Sequence, residues 1–312
     1  FEEYVLENRR DSDYLLLWQN DRTIVVGQNQ NTEEEINRRY VEAHHIRVVR
    51  RMTGGGAVYH DLGNLNYSFI TDAGNVEQLS IRRFTIPVVN ALKKLGLQAE
   101  TSGRNDILVE GCKVSGTAQR LLNGRILHHG TLLFQPDLSA IENALRVDPL
   151  KFESKSIKSV KSRVGSIRQF LARDMDLPAF QSFLKGELLG EGFAGDSLSA
   201  AEIQKVERLK ADKYDLWEWN FGQSPQYNII SKRKWLGGIL EPRTVIKDGK
   251  IEMIRFYGDF LSLTPLDTLT DALRGCPFRK EQVTVILGRF QLSELFGTIT
   301  EEEILNTLFY SE

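Results

Sequence analysis

The sequence predicts an α+β protein with a large domain over residues 1–230 and a small α/β domain over residues 231–312. Three observations support this prediction. Short apolar runs separated by turn residues, which are typical of β-strands, recur through the first 134 residues. Residues 138–214 have a mostly helical pattern. A change of composition at residues 222–227, which include Gly222, Ser224 and Pro225, is typical of a linker.

Composition limits the classes of protein to consider. With 312 residues and 41% hydrophobic content, the chain can bury a large core. The formal net charge of -2 excludes the overall basic field that drives non-specific nucleic-acid binding. No apolar run reaches the roughly 18 residues of a membrane helix, and the charged N-terminus is unlike a signal peptide. Cys112 and Cys276 form no CxxC pair, so we expect no zinc site, no disulfide framework and a cytoplasmic location.

The first elements are predicted to be two strands and a helix. Apolar residues 14–18 and 23–26 flank the turn-like Asn20 and Asp21, which predicts a strand pair that opens a sheet. Thr32 and Glu35 have the spacing of a capping box, which predicts a helix over residues 32–44. Residues 46–49 are predicted to form the next strand.

The middle of the large domain is predicted to contain further strands and one long helix. Residues 57–59 and 65–70 flank a polar turn, and residues 80–95 have helical periodicity that ends at Gly96. Two hairpins follow, with turns at Glu110-Gly111 and at Asn123-Gly124. Their strands are expected at residues 106–109, 113–122 and 125–134.

The remaining segments are a basic loop and a compact tail. Residues 155–163 are rich in serine and lysine and have no periodicity, which indicates a loop. In the tail, residues 235–246 and 251–257 are predicted strands around the Asp248-Gly249 turn. Helices are expected after Thr264-Pro265 and after Thr300, which has Glu303 at capping-box spacing.

A glycine-rich turn at residues 50–57 is the first candidate for binding chemistry. Gly54, Gly55 and Gly56 can bring backbone N–H groups close to an anion, because no Cβ stands in the way. Arg51 can add a bidentate fork to a bound phosphate or carboxylate. The alternative interpretation is a flexible hairpin with exposed arginines.

A second candidate constellation follows at residues 105–118. Strand alternation predicts that Lys113 and Ser115 share one face, where Gly116 would let a ligand lie against the strand. The Lys113 ammonium then faces a phosphoryl or acyl oxygen. The alternative is a lysine that covers the surface with its aliphatic stem while its charge stays in water.

Several separated segments, in order and spacing, resemble the lipoate-protein ligase family. They are VGQNQN at 26–31, RRMTGGGAVYHDLGNLNYSF at 50–69, ND at 105–106, GCKVSGTA at 111–118, LHHGTLLF at 127–134, KSVKSRV at 158–164 and WEWNFGQSP at 217–225. The resemblance implies a large mixed-sheet domain similar to that of biotin ligases. It also implies that the C-terminal domain is the accessory domain of this family.

The resemblance implies an ATP-dependent ligase that activates lipoate as lipoyl-AMP, with release of pyrophosphate and with Mg²⁺. A free carboxylate is a poor electrophile, so amide formation needs such a mixed anhydride. The lipoyl group then passes to a lysine of a partner protein. The implied partners are the E2 lipoyl domains of 2-oxoacid dehydrogenases and the glycine-cleavage H protein, with no nucleic acid and no membrane involved.

The resemblance also assigns roles to individual residues. Lys113 falls on the catalytic lysine, which contacts both the acyl group and the phosphate. Asp106 falls near the phosphates, where a carboxylate can hold Mg²⁺. The positions that fall where the family binds ATP and the acyl group are Arg51, Gly56, Ala57, Val58, Tyr59, Asn105, Asp106, Ser115, Gly116 and Ala118. The predicted site also includes Gly54 and Gly55, as N–H donors of the glycine-rich turn, and His129.

Strand alternation separates the remaining candidates. Adjacent residues in a strand point to opposite faces, so His60 and Asp61 cannot act as a pair and are interpreted as ordering a loop. By the same rule, at most one of His128 and His129 faces the pocket. The resemblance favours His129 with Thr131, because Gly130 follows the family pattern, and the alternative is a packed or solvent-facing histidine. Cys112 should point away from Lys113, which favours an inert thiol.

Two other functions stay open on the sequence. An octanoyl or lipoyl amidotransferase on the same scaffold would need no ATP and would use a thiol intermediate, against which the placement of Cys112 and the accessory domain both argue. A non-catalytic acyl-binding or nucleotide-binding protein would keep the pocket without turnover. The loop at residues 155–163 is either a solvated charged face or, as in the family, a mobile loop over the adenylate.

Overall fold

The computed structural model describes residues 1–74, 80–103, 105–146, 164–189, 193–221, 229–247 and 249–309. The loop predicted at 155–163 and the linker predicted at 222–227 lie outside these ranges. The two-domain division at residues 230 and 231 stays a prediction. Among the described residues, no helix has both the length and the apolar character that a membrane crossing requires.

A six-stranded antiparallel sheet forms the centre of the N-terminal part of the chain. Its strands are β1 Tyr14–Trp18, β5 Asn64–Asp72, β6 Ala99–Ser102, β7 Asp106–Val109, β8 Cys112–Leu122 and β9 Arg125–Leu133. They lie in the order β1-β5-β9-β8-β7-β6. Both predicted hairpins are confirmed. Glu110 and Gly111, like Asn123 and Gly124, have φ values of 50° and 77°, the left-handed pair that a type I′ turn requires.

A separate three-stranded sheet contains β2 Thr23–Val26, β3 Arg47–Arg50 and β4 Val58–His60. β2 pairs with β3 in parallel and with β4 in antiparallel fashion. The prediction that residues 14–18 pair with residues 23–26 was therefore wrong, although both segments are strands. A buried strand such as β2 needs partners on both sides, and only the tertiary fold decides which strands supply them.

Helices cover the large sheet on one face and border it on the other. They are α1 Glu2–Asn8, α2 Thr32–Glu35, α3 Arg38–Ala43, α4 Ile81–Lys94, α5 Leu138–Ala144, α6 Ile167–Phe170, α7 Leu177–Leu189, α8 Ala200–Leu209 and α9 Trp217–Asn220, with a π-helical turn at Lys210–Tyr214. The main core lies between the sheet, α4 and α7, and contains Tyr67, Leu92 and Phe180. The helix predicted at 80–95 is confirmed, and it ends before Gly96 with φ +82°.

The helix predicted over residues 32–44 is broken. Ile36 is extended and forms a β-bridge to Leu145, and the side chain of Asn37 then caps α3. The Thr32 hydroxyl is not a cap, because it donates to the carbonyl of Asn220 at 2.5 Å. A tertiary contact has displaced the local capping pattern.

The C-terminal residues form an antiparallel sheet covered by helices. The strands are β10 Ile229–Ile230, β11 Arg233–Trp235, β12 Gly238–Lys247 and β13 Lys250–Gly258, and the helices are α10 Asp267–Leu273, α11 Lys280–Leu287, α12 Leu292–Phe296 and α13 Glu301–Phe309. They share a core of their own around Phe260 and Phe296. The predicted capping box is confirmed: Thr300 N donates to Glu303 Oε2 at 2.8 Å, and Glu303 N donates to Thr300 Oγ1 at 3.3 Å. The predicted strand 235–246 is split by a turn at Leu236 and Gly237.

Candidate active site

A cleft of about 640 Å³, counted with the open space at its mouth, lies between the large sheet and the glycine-rich loop. The large sheet forms the floor of the cleft, and one row of its residues crosses the four strands β1, β5, β9 and β8. Trp18 is opposite Asn66, and Asn66 is opposite Thr131. Gly116 N then donates to Thr131 Oγ1 at 3.2 Å. Three strand spacings make this row roughly 14 Å long.

Lys113 lies at the β8 end of this row and borders the cleft. Its Nζ is 2.7 Å from Asp106 Oδ1, and the two side chains keep 39% and 32% of their surface exposed. Gly116 makes room for the pair, because a Cβ there would stand 3.3 Å from Lys113 Nζ. The Lys113 ammonium is therefore partly exposed and faces the cleft beside the backbone of Gly116.

A β-bulge in β8 changes the faces predicted around Lys113. Ile107 pairs with Ser115 and Leu108 with Lys113, so Val114 is an extra residue between them. Residues directly opposite in a ladder share a face, which places Ser115 with Ile107 in the core. The prediction that Ser115 lies beside Lys113 and lines the site was therefore wrong. Cys112 pairs with Val109 and, as predicted, points away from Lys113.

Asn105 braces the end of this hairpin. Its Nδ2 donates to the carbonyl of Thr117 at 2.7 Å, and Thr117 N donates back to the carbonyl of Asn105 at 2.9 Å. Asn105, Thr117 and Ala118 all border the cleft. The hairpin that holds Asp106 and Lys113 is thereby fixed to the floor of the site.

The opposite wall is the glycine-rich loop, and Arg51 holds it in shape. Arg51 Nη2 donates to the carbonyls of Gly54 at 2.6 Å and Gly56 at 2.9 Å, Nη1 donates to Val25 O, and Nε donates to Thr53 Oγ1. Burial lowers the pKa of Arg51 to about 10. Three of its five N–H donors hold the loop and a fourth holds β2 through Val25, so Arg51 acts on a ligand mainly through the backbone that it positions.

Two positions that were predicted to bind a ligand, Gly54 and Tyr59, face away from the cleft. A Cβ on Gly54 would stand 2.8 Å from Ser262 N, so this glycine permits close packing of the C-terminal sheet's following loop. Gly55, with φ +89°, donates its N–H to the carbonyl of Phe260 at 3.2 Å. Tyr59 is buried in the core of the three-stranded sheet. Gly54 and Tyr59 therefore do not border the cleft, whereas Gly55, Gly56, Ala57 and Val58 do, and the nucleotide contacts of all these positions stay a prediction.

Arg50 is a structural residue that the sequence analysis left without a role. Its guanidinium donates to the carbonyls of Gly27, Gln28 and Gln30 and to the hydroxyl of Thr32. It also donates to the carbonyls of Trp219 and Asn220. Burial lowers its pKa to about 10. Arg50 therefore ties the segment before α2 to α9, behind the glycine-rich loop.

Histidines and one glutamate line the other end of the floor. His129 faces the cleft as predicted, and His128 stacks on Phe84 in the core. His60 also borders the cleft, where burial and then the charge of Arg51 lower its pKa to about 3. Its neighbour Asp61 orders the following loop, as predicted, by accepting hydrogen bonds from Gly63 N and Asp137 N.

Glu2, Trp18, Thr53 and Asn66 were missed by the sequence analysis. Burial acts to raise the pKa of Glu2, but its interactions with His129 and with the hydroxyl of Ser68 outweigh burial and lower that pKa. The only signal in the sequence was their position near the motifs, because nothing local predicts that α1 borders a cleft built by β5, β8 and β9.

The described residues contain no group of three or more His, Cys, Asp or Glu side chains placed to hold a metal. Asp106 is the carboxylate at the Lys113 end of the cleft, and it is engaged by that lysine. Such a site does not fit a metal held by protein alone. It fits Mg²⁺ that is bound mainly by phosphate oxygens and water, for which one carboxylate is enough.

Comparison with known families assigns the class of protein. Residues 1–189 match the lipoyl protein ligase A/B catalytic domain, and residues 224–308 match the bacterial lipoate protein ligase C-terminus. The chain therefore belongs to the lipoate-protein ligase family, a family of enzymes. It is 41% identical to lipoate-protein ligase 1 of Staphylococcus aureus, over 98% of this chain and 94% of that protein. It is 39% identical to lipoate-protein ligase LplJ of Bacillus subtilis, over 99% and 95%.

Solved structures support the same class. The P. falciparum LipL1 complex with lipoate has a TM-score of 0.77 and 25% identity, and covers 93% of this chain and 90% of that chain. A bipartite ligase from Thermoplasma acidophilum, studied with its E2 lipoyl domain, has a TM-score of 0.64 and 31% identity, over 73% and 92%. A lipoate-protein ligase A bound with ATP has a TM-score of 0.62 and 28% identity, over 71% and 91%. The predicted α+β fold is confirmed.

Proposed function

We propose that this chain is an ATP-dependent ligase that converts lipoate to lipoyl-AMP with release of pyrophosphate, and then transfers the lipoyl group to a lysine of a partner protein. The observation that carries the proposal is the half-exposed Lys113 ammonium, held by Asp106 over Gly116 at one end of the cleft. Both half-reactions crowd negative oxygens together. A fixed positive charge at this point offsets that charge without reorganising water.

The floor of the cleft gives the acyl substrate its direction. Its carboxylate lies at Lys113, and its chain follows the row from Gly116 towards Trp18. Val25, Ala57, Val58 and Ala118 supply apolar contacts along the way. Because the row is roughly 14 Å long, it accommodates a medium-length acyl chain and leaves the carboxylate at the charged end.

ATP fits between the two walls at the Lys113 end. We call Gly55, Gly56 and Gly116, which border the place of the nucleotide, the cradle. A Cβ would approach Arg51 at Gly55 and Lys113 at Gly116, and would enter the cleft at Gly56. Lys113 neutralises charge on the oxygens at the reacting phosphorus. Asn105 and Asp106 face the remaining phosphates, and Asp106 supplies one oxygen ligand to Mg²⁺ that arrives with the nucleotide.

The acceptors we propose are E2 lipoyl domains and the glycine-cleavage H protein, because the Thermoplasma relative was studied with its E2 lipoyl domain. Their lysine attacks the activated carbonyl and expels AMP. We propose a cytoplasmic location, since the described cysteines Cys112 and Cys276 are both free thiols. In this proposal residues 1–230 carry the reacting groups, and residues 231–312 form the accessory domain that packs on the glycine-rich loop.

Mass spectrometry of an acceptor lysine tests the proposal. A purified E2 lipoyl domain is incubated with the protein and lipoate, with and without Mg-ATP. Lipoyl addition that requires ATP, and is lost in Lys113→Ala, supports the ligase. Transfer from an octanoyl acyl-carrier donor without ATP, with none from free lipoate, would replace it by the amidotransferase. Saturable lipoate or ATP binding without transfer to any acceptor would leave a non-catalytic binding protein.

A further inference from the structure

A chain of hydrogen bonds crosses the far end of the cleft and ends at the glycine-rich loop. Trp18 Nε1 donates to Ser68 Oγ at 2.8 Å, and Ser68 Oγ donates to Glu2 Oε1 at 2.6 Å. His129 then bridges two elements: its Nδ1 is 2.9 Å from Glu2 Oε1, and its Nε2 is 2.8 Å from Thr53 Oγ1. The chain therefore joins α1 to the residue that precedes the three glycines.

Accounting for the protons fixes the direction of every bond in this chain. Thr53 is fully buried, and its hydroxyl oxygen accepts from Arg51 Nε at 2.9 Å. Its own proton must have an acceptor, since a buried hydroxyl without one is costly. His129 Nε2 is that acceptor, which assigns the proton of the neutral imidazole to Nδ1, where Glu2 accepts it.

This assignment leaves no ring nitrogen of His129 available for a substrate. One nitrogen donates to a carboxylate and the other accepts from a hydroxyl, so the imidazole works as a spacer of fixed orientation. Beyond it, the Thr53 hydroxyl orients the Arg51 guanidinium, whose Nη2 holds the carbonyls of Gly54 and Gly56. The orientation of the His129 ring is therefore linked, through Thr53 and Arg51, to the conformation of the loop.

We propose that Glu2, His129 and Thr53 are positioning residues that fix the glycine-rich loop for the nucleotide from the acyl end of the cleft. The expected effect on kinetics rests on the proposed function. The fixed conformation of the loop does not, because it is a property of the protein without substrate. Glu2 and Thr53 do not touch each other. Their effects are linked because both bonds converge on one imidazole ring.

Hydrogen exchange tests the loop without any substrate. Thr53→Val keeps the shape of the side chain and removes the hydroxyl, and Thr53→Ser restores it. We expect exchange of the amides at residues 52–58 to accelerate about tenfold in Thr53→Val, because one buried hydrogen bond is lost, and to return towards wild type in Thr53→Ser. Thr85→Val, at a buried threonine of α4 away from the cleft, is the matched control.

Steady-state pyrophosphate exchange then tests the kinetic consequence. In Thr53→Val we expect the KM for ATP to rise about tenfold while the KM for lipoate stays within about twofold. Glu2→Met should raise the KM for ATP in the same direction. We call the hydrogen-bonded series Glu2, His129, Thr53 and Arg51 the relay. In the double variant the two effects should be non-additive, because both substitutions interrupt this one relay.

The outcomes separate the two ideas. Wild-type loop exchange and wild-type KM for ATP in Thr53→Val, or strict additivity with Glu2→Met, would overturn the relay while the ligase stands. A wild-type protein without lipoate-dependent pyrophosphate exchange would refute the proposed function instead. The hydrogen-exchange result still decides the relay in that case. A rise in both KM values that Thr53→Ser fails to rescue would also count against the relay.

Discussion

The two walls of the cleft both contain cations, but they hold them in opposite ways. On the glycine-rich wall, Arg50 is buried and Arg51 half-buried, and the donors of both are engaged by backbone carbonyls and hydroxyls. On the hairpin wall, Lys113 is paired with Asp106 alone among the described residues and keeps 39% of its side-chain surface. Arginine suits the first role because its five donors form a rigid fork, and lysine suits the second as a mobile point charge.

This difference teaches how to distinguish a structural cation from a reactive one. A guanidinium whose donors are occupied stabilises the backbone around it, and its removal should cost folding free energy. An ammonium with exposed surface in a cleft adds little to stability and can meet a ligand. The RRMTGGG motif contains both arginines, yet the donors of Arg50 hold the segment before α2 and α9, and most donors of Arg51 hold the glycine-rich loop.

The largest expected effect is on catalysis, at the hairpin wall. We expect Lys113→Ala to lower lipoate-dependent pyrophosphate exchange by about 100-fold to 1000-fold, the usual loss for one charge-stabilising donor. The melting temperature should stay close to that of wild type, because a half-exposed ion pair contributes little to stability. Lys94→Ala, which removes the exposed Lys94–Glu187 pair, is the control. Near-full exchange activity in Lys113→Ala would remove this lysine from the mechanism.

The next effect is on stability, at the glycine-rich wall. We expect Arg50→Leu to lower the free energy of unfolding in urea by roughly 3 kcal/mol, since it leaves several buried carbonyls without a donor. Arg47→Leu, at an exposed position of the same strand, should change it by less than about 0.5 kcal/mol. Equal unfolding midpoints for the two variants would show that the buried arginine is not a structural tie.

A third effect appears in the pH dependence of stability. The pKa of His60 is about 3 in the folded protein against 6.5 when unperturbed, so the unfolded chain binds a proton that the folded one does not. The contribution of the neutral His60 side chain to the free energy of unfolding is fully present above pH 6.5 and is lost as pH falls towards 3. Between pH 7 and pH 5 we expect His60 to account for a loss of about 2 kcal/mol.

Urea titrations at several pH values measure this contribution. The slope of stability against pH should be shallower in His60→Gln than in wild type by that amount. The exposed His44 supplies the matched control, and His44→Gln should keep the wild-type slope. Parallel slopes for wild type and His60→Gln would mean that His60 takes up its proton without unfolding.

The smallest expected effect separates the cradle from the fold. A Cβ at Gly56 meets no atom within 4 Å, so Gly56→Ala should leave stability unchanged. The methyl group would nevertheless enter the cleft, and we expect calorimetry to show ATP affinity reduced about tenfold. Gly186→Ala, on the exposed surface of α7, is the control and should bind ATP normally. Undiminished ATP affinity in Gly56→Ala would place the nucleotide away from this wall.

Much of the fold was predictable where one local rule decides the outcome. Asn123-Gly124 and Glu110-Gly111 gave correct hairpins, because few dipeptides adopt two left-handed residues in succession. Thr300 and Glu303 formed their capping box, since no distant side chain of the described residues competes for either of them. Thr32 and Glu35 have the same spacing and failed, because Arg50 and Asn220 take the Thr32 hydroxyl.

The site was predicted in part for the same reason. Lys113, Asp106 and Gly116 lie together because they are close on one hairpin, although the family resemblance rather than the pattern supplied their chemistry. Ser115 was misplaced because a one-residue bulge reverses every face beyond it, and an extra residue leaves no mark in an alternating pattern. Tyr59 was misplaced because the partners of β4 were unknown.

By itself the sequence determined the two hairpin turns, the end of α4 before Gly96 and the charged hairpin, which depend on residues within a few positions of each other. The order of its separated motifs indicated the class of protein. Only the tertiary structure decided that β1 and β2 belong to different sheets, that Arg51 spends its donors on the loop, and that Glu2 reaches His129 from α1. These contacts join residues far apart in the chain. Their free energies depend on burial and on competing partners, which no local pattern encodes.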